Sequence, residues 1–184
     1  MTPQPKKPQI LVVDDHPANR LAYETVLEPD YAVFLAESGR QALELCQRME
    51  FAVILLDVRM PGMDGYETAV ELRRRKQTLY TPIVFTSAID QSLAHVNRGF
   101  VVGATDYIFS PVDPEFLRFK VATYSQMYLR HEELVRQIDR LNELIHSLRS
   151  AIEADASLDQ SLRSRIRELD GLLVDLKRQA IAAY

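Results

Sequence analysis

Residues 51 to 56 read Phe-Ala-Val-Ile-Leu-Leu, an unbroken apolar run that stops at Asp57 and gives way to the turn-forming stretch Met60-Pro61-Gly62-Met63-Asp64-Gly65. A strand that is apolar on both faces belongs inside a parallel sheet whose two sides are covered by helices. Such sheets take up ligands beyond the carboxyl ends of their strands, so the run delivers the Asp57 carboxylate to the edge where chemistry is done.

A second acidic strand end precedes it. Ile10-Leu11-Val12-Val13 runs directly into Asp14 and Asp15, followed by His16 and Pro17. If the two strands are neighbours, three carboxylates converge, and like charges that close raise one another's pKa unless a cation intervenes. A divalent metal is the natural remedy. An oxygen-only set suits Mg²⁺ better than zinc, which favours His and Cys ligands that this site is expected to lack. The same spacing also fits two ordinary strand-end turns capped by Asp.

The remaining pattern alternates strand and helix. Pro17 opens a helix to about Leu27, with Leu21, Ala22, Val26 and Leu27 near one face. Tyr31 to Ala36 reads as a strand, and Ser38 caps a helix over 39–49 with Ala42, Leu43, Cys46 and Met49 inward. A helix over 66–76 places Ala69, Val70 and Leu72 inward and ends in Arg73-Arg74-Arg75-Lys76, a run read as dipole compensation on a solvated face rather than a nucleic-acid contact. Ile83-Val84-Phe85 leads to Thr86 and Ser87, a weaker helix covers 91–100, and Tyr107-Ile108-Phe109 forms a fifth strand before Ser110-Pro111. Five strands joined by crossovers of this length give an α/β, flavodoxin-like, doubly wound five-stranded parallel sheet.

At 184 residues the chain holds one domain of about 120 residues and something smaller. The expected division is an N-terminal tail (1–8), an α/β domain (9–128) and a helical segment (129–184). An apolar fraction of 47% excludes wholesale disorder. Net charge is −4, with 13 basic and 16 acidic residues before Leu129 and 9 and 10 from there on, so neither part is a basic nucleic-acid arm. The single cysteine, Cys46, cannot form an internal disulfide, which fits a reducing, cytoplasmic setting. No stretch reads as a signal peptide or a membrane span.

Over roughly 8–128 these residues resemble the receiver domain of two-component response regulators, several separated motifs agreeing in order. The resemblance makes Asp57 the phosphoacceptor, and Asp14 and Asp15 the acidic pair that binds Mg²⁺ together with Asp57 and the Arg59 carbonyl. Ser87 falls at the hydroxyl switch position and Tyr107 at the aromatic one, whose ring turns inward when the phosphoryl group recruits the hydroxyl. Ser110 stands where the family has lysine. Three carboxylates and one Mg²⁺ sum to −1, a charge the usual lysine would neutralise before a phosphoryl dianion arrives. Loss of a charge-assisted contact costs about 1.5–3 kcal/mol, which implies slower phosphorylation or weaker switching.

From Asp113-Pro114 onward no Gly or Pro appears until Gly171. Heptads run through this tail, with Leu134, Leu141, Leu148, Asp155, Leu162, Leu169 and Leu176 at d and Ile138, Ile145, Ile152, Asp159, Ile166, Leu173 and Ala180 at a. Ile at a with Leu at d favours a parallel two-stranded coiled coil and a homodimer, as a continuous rod of roughly 100 Å. Asp155 and Asp159 interrupt the seam, and a fresh capping box from Ser157 would instead allow a helical hairpin. Leu144, Leu158 and Leu172 at g widen the stripe toward a multi-helix bundle.

The function these features imply is a phosphorelay response regulator. It would take a phosphoryl group from a histidine kinase or phosphotransfer protein and signal through dimerisation and a downstream protein partner, without nucleic acid or membrane. Its chemistry would be limited to autophosphorylation and autodephosphorylation at Asp57. Two alternatives compete: a phosphorylation-independent pseudo-receiver adaptor, and a receiver fused to a degenerate histidine phosphotransfer hairpin presenting His146.

Overall fold

The computed structural model describes residues 7–87, 93–154, 164–165, 168–169 and 171–177, with the side chains of all but 93–95 and 151–154. The chain divides into two compact units, Met1–Tyr128 and Leu129–Tyr184.

In the first unit the order is β1 (Gln9–Val13), α1 (Pro17–Leu27), β2 (Ala32–Ala36), α2 (Gly39–Arg48), β3 (Val53–Asp57), α3 (Gly65–Arg73), β4 (Ile83–Ser87), α4 (Leu93–Val101), β5 (Asp106–Phe109) and the start of α5 (Pro114–Ala154). The strands are all parallel and lie in the order β2-β1-β3-β4-β5. Chain direction across the sheet reverses at β1, so a crevice opens at the carboxyl ends of β1 and β3.

Alternation explains the apolar runs. Leu11, Val13, Ile54, Leu56 and Phe85 face one core, which α2 and α3 close with Ala42, Cys46, Ala69 and Leu72. Ile10, Val12, Val53, Leu55 and Val84 face the other, closed by Tyr23 and Leu27 of α1 and Leu117, Val121 and Tyr128 of α5. Successive strand residues point to opposite faces, so a sheet buried on both sides leaves no position for a polar residue until the strand ends.

Two expectations are corrected. Leu21 of α1 is 62% exposed, and the inward stripe is Tyr23, Val26 and Leu27, the i, i+3, i+4 set that the helix presents to the sheet. Tyr23 fits this apolar face because its hydroxyl is hydrogen-bonded to Thr86 of β4; burial of the phenol pushes its pKa up to about 12. The second correction concerns the basic run after α3. Arg73 is not a solvated helix-end charge: its guanidinium donates to the carbonyls of Gly103 (2.7 Å), Thr78 (2.8 Å) and Thr81 (2.8 Å). Burial lowers its pKa to about 10, so it stays charged at neutral pH. Arg75 likewise donates to the Leu43 carbonyl at 2.6 Å. Arg73 thereby holds together carbonyls of the turns before β4 and after α4, and Arg75 ties the end of α3 to a carbonyl within α2.

β5 is tied to α5 through Asp106, whose carboxylate accepts from Lys120 and from the Tyr124 hydroxyl (2.6 Å). Burial would raise the Asp106 pKa, but those two donors and the Tyr107 N–H hold it below the usual value. Asp113 starts α5 by accepting the Phe116 N–H at 2.8 Å, with Pro114 at the first helical position.

In the second unit α5 continues to Ala154, and residues 171–177 are helical. Lys177 forms an ion pair with Asp139, while Ile138 and Leu173 are both buried. Along one continuous helix those two charges would stand about 57 Å apart. The chain therefore folds back on itself, and the continuous rod is replaced by a hairpin-like return. The interruption proposed at Asp155, Ser157 and Asp159 lies outside the described residues, as do Leu158, Leu162, Ile166 and Ala180. No helix among the described residues is long and apolar enough to cross a membrane.

Replacing Arg73 by Met should keep the aliphatic packing but remove the guanidinium from the Gly103, Thr78 and Thr81 carbonyls, of which Thr78 retains the Thr81 N–H. The expected loss is about 3 kcal/mol of stability, read as a lower urea midpoint with an unchanged slope.

Candidate functional site

Asp57 is the last residue of β3 and is half-buried. The β1–β3 register pairs Val13 with Leu56, so the next positions along are Asp14 and Asp57. Asp14 is 2% exposed and held on every side. Its N–H donates to the Ala36 carbonyl, and its carboxylate accepts from the His16 N–H (2.8 Å) and the Asn19 amide (3.0 Å). Its own carbonyl receives Arg20 at 2.6 Å. Three residues of the α1 entry and first turn thus fix one buried aspartate, two through its carboxylate and one through its main-chain carbonyl. Asp15 is more open, and the His16 ring sits 2.9 Å from it.

Convergence of these charges shows in Asp57. Burial pushes its pKa up to about 6, and the Asp14 charge adds to this. The Arg59 N–H opposes the rise, Asp15 adds a further increment, and the Val58 N–H again opposes. A cation would reverse the shift. Asp14, Asp15 and His16 each offer a ligand atom, all within 4.8 Å of one another. An imidazole therefore does stand at this site, contrary to the expectation that histidine was lacking. The crevice nevertheless remains rich in carboxylate oxygens, and Asp15 is accessible, a donor set that fits a hard cation retaining waters.

The loop after β3 is closed by Gly65, whose N–H donates to the Val58 carbonyl at 3.0 Å. A Cβ at Gly65 would lie 2.2 Å from the Asp57 carbonyl oxygen, so only glycine lets α3 start this close to the strand end. Asp64 and Glu67 cap the helix reciprocally. Arg59 is exposed and, with Asp15, Asp64, Tyr66 and Arg98, lines a cleft of about 500 Å³.

Ser87 is buried at the end of β4, and its carbonyl accepts the N–H of Ser110 at 2.9 Å. Ser110 itself is exposed, just past β5. Tyr107 is only 7% exposed, its ring packed on Phe85 (5.3 Å), Phe109 (5.7 Å) and Phe100 (5.8 Å). Its hydroxyl is hydrogen-bonded to Tyr66 and receives the Gly99 N–H, and burial together with the Tyr66 contact raises its pKa. A Cβ at Gly99 would lie 1.7 Å from the Tyr107 hydroxyl. Tyr66 packs edge-on against Phe85, and the Arg98 guanidinium lies 4.3 Å above its ring and 3.9 Å from Asp64. The ring of Tyr107 thus already occupies an inward seat.

Sequence reasoning missed Asn19, Arg20, Tyr66, Arg98 and Gly99. One signal was available: a glycine inside α4 costs about 1 kcal/mol against alanine, which asks for a close neighbour. His146 is exposed on α5 and His131 is buried there, both in the second unit.

A parallel sheet of this strand order, with a carboxylate ending its central strand beside an acidic pair, defines the receiver class of signalling modules. The chain belongs to the response regulator receiver domain family, whose model matches residues 10–122. It is 33% identical over 150 residues to a probable cyclic di-GMP phosphodiesterase of Vibrio cholerae, a match that covers 82% of this chain and 33% of that protein. The chain thus spans about a third of that relative's length. Among solved structures it resembles the Vibrio cholerae chemotaxis protein CheY4 with a TM-score of 0.62 and 33% identity, over 64% of this chain and 98% of that one. The receiver domain of the sensor histidine kinase PA1611 from Pseudomonas aeruginosa, solved with a magnesium ion coordinated in its active site cleft, has a TM-score of 0.61 and 27% identity, over 65% of this chain and 98% of that one.

In metal-free protein Asp57 should titrate near pH 6, observable by carboxyl carbon NMR. Its folded pKa lies above the unfolded one, so its contribution to stability is full below about pH 4 and lost as pH rises through 6. Asp57→Asn should therefore be more stable than wild type at pH 7, by about 1–2 kcal/mol once partial solvent exposure is allowed for. A second outcome concerns the aromatic seat: Gly99→Ala should expel the Tyr107 ring, seen as faster nitration of the Tyr107 peptide by mass mapping.

Proposed function

We propose that Asp57 accepts a phosphoryl group from a phosphohistidine on a kinase or phosphotransfer partner, with Mg²⁺ as cofactor, and that the signal leaves through protein contacts of the helical tail. The observation that carries this reading is Asp57 itself, half-buried at a strand end beside Asp14 and Asp15, with the N–H groups of Val58 and Arg59 on its carboxylate. Those two donors orient the carboxylate. One of its oxygens attacks phosphorus, forming an O–P bond as the P–N bond breaks and the imidazole nitrogen leaves with the electron pair. Asp14, Asp15, Asp57 and the Arg59 carbonyl would hold Mg²⁺, with Asp14 acting mainly through water. When bound, the ion supplies neutralising charge to the transferring oxygens.

In the acyl phosphate the Ser87 hydroxyl turns toward the phosphoryl oxygens, and Tyr107 is the ring that responds. Ser110 contributes no positive charge, so transfer and switching both proceed without the ammonium usual in the family. Autodephosphorylation by water would complete the cycle. Cys46 is a buried free thiol, in keeping with a reducing cytoplasmic location. The tail's partners are a second copy of the chain and a downstream protein, reached without nucleic acid or membrane.

A second reading, the phosphorylation-independent adaptor, is favoured by the inward Tyr107 and by Ser110. It expects no adduct and no change of structure under saturating beryllofluoride.

Acetyl phosphate with Mg²⁺ should add one phosphoryl mass to the intact protein and none to Asp57→Asn. Ser110→Lys should raise the initial rate roughly tenfold or more, the equivalent of a charge-assisted contact. Mass spectrometry over time measures both, and failure of wild type and Ser110→Lys alike to gain mass would sink the phosphoacceptor assignment.

A further inference from the structure

We infer that the folded-back tail is one half of a four-helix bundle completed by a second copy of this chain. The inference deepens the dimeric reading given under Proposed function, by assigning the surface and the packing. Ile138 and Leu173 are buried, and the Lys177–Asp139 ion pair spans the same stretch of the two arms, so these residues mark the seam within one copy. The leucines at d, and Leu172 at g, behave differently. Leu134, Leu141 and Leu148 on the outgoing arm and Leu169, Leu172 and Leu176 on the returning arm are all between 47% and 61% exposed.

Two helices side by side bury one stripe each. A stripe broadened to include d and g positions has more apolar width than a single partner helix can cover, and the arrangement that satisfies it is a bundle. These six side chains alone expose roughly 500 Å² per copy, as much as the largest apolar patch of an ordinary monomer and a large part of the about 800 Å² each partner gives to a stable interface.

Charge is compatible with a second copy as the occupant. Residues 129–184 carry 9 basic and 10 acidic side chains, a formal −1, so the surface neither attracts a strongly charged partner nor repels its own copy. A second copy brings the same seven-residue leucine spacing, which lets identical faces interdigitate about a two-fold axis at the shallow crossing angle of such bundles. The seam within each hairpin stays intact, so assembly needs no unfolding and no phosphoryl group.

The test is sedimentation equilibrium of the full chain, metal-free and unphosphorylated. Wild type is compared with Leu141→Lys/Leu172→Lys, with the milder Leu141→Gln/Leu172→Gln and with Asp57→Asn. Wild type and Asp57→Asn should both sediment at twice 21.1 kDa. Both double variants should associate at least 100-fold more weakly, with unchanged far-ultraviolet circular dichroism; if the lysine pair loses helicity, the glutamine pair decides. Wild type that stays monomeric up to roughly 100 μM, as expected if another protein's helices cover this face, overturns the proposal. So does a wild-type assembly larger than two, or a dimer of undiminished affinity in the glutamine pair. Phosphoryl mass is read separately on the same proteins. An adduct without a dimer overturns only the bundle, and a dimer without an adduct only the phosphoacceptor.

Discussion

Burial of carboxylates at the carboxyl ends of β1 and β3, sharpened by their mutual repulsion, is the constraint around which the first unit is arranged. Parallel pairing of two fully apolar strands brings Asp14 and Asp57 to neighbouring positions, out of bulk water, and nothing in the strands themselves relieves the resulting charge. Relief comes from outside them. The α1 entry commits the His16 N–H and Asn19 to Asp14, and the loop after β3 turns two N–H groups toward Asp57. Gly65 then allows that loop to close against the strand end. Stability is surrendered locally to hold a half-buried carboxylate at the mouth of the crevice, a common trade at functional sites.

Most of the sheet was legible because burial on both faces leaves no ambiguity of period. Runs such as Ile10-Leu11-Val12-Val13 can serve few other purposes, and polar residues can return only where the strand ends. The helices were legible in outline and less so in facing, as α1 shows. Leu21 was placed on the inward face and Tyr23 was not named there, because the Thr86 partner of the phenol comes from a strand more than sixty residues away. The same blindness to distant partners hid Arg73. Read beside its neighbours it was one charge in a run of four, and only the fold brings the Gly103, Thr78 and Thr81 carbonyls to it. In the tail, heptad phase fixed which residues are apolar but not chain direction, since a seam reads identically whether the facing helix belongs to another copy or to the same chain returning.

Two features of the switch proposed above bear on each other. Ser110 brings no cation to a phosphoryl group on Asp57 in that proposal, and Tyr66 with Gly99 gives the Tyr107 ring an inward seat. A receiver poised this way needs less free energy to occupy the inward arrangement and has less to supply it. Differential stabilisation of two states, not the strength of either alone, sets how far a modification can shift them.

The edge contact between Tyr107 and Phe100 extends this to the outside of the molecule. Phe100 is 49% exposed, while the Tyr107 ring it touches is almost wholly covered. Under the proposed function, displacement of Tyr107 would withdraw a ring that Phe100 packs against, so the position of a hidden ring would be displayed on the surface of α4 as a change in apolar relief. Any protein resting on that helix would read an internal rotamer as a texture, without ever touching the acidic crevice.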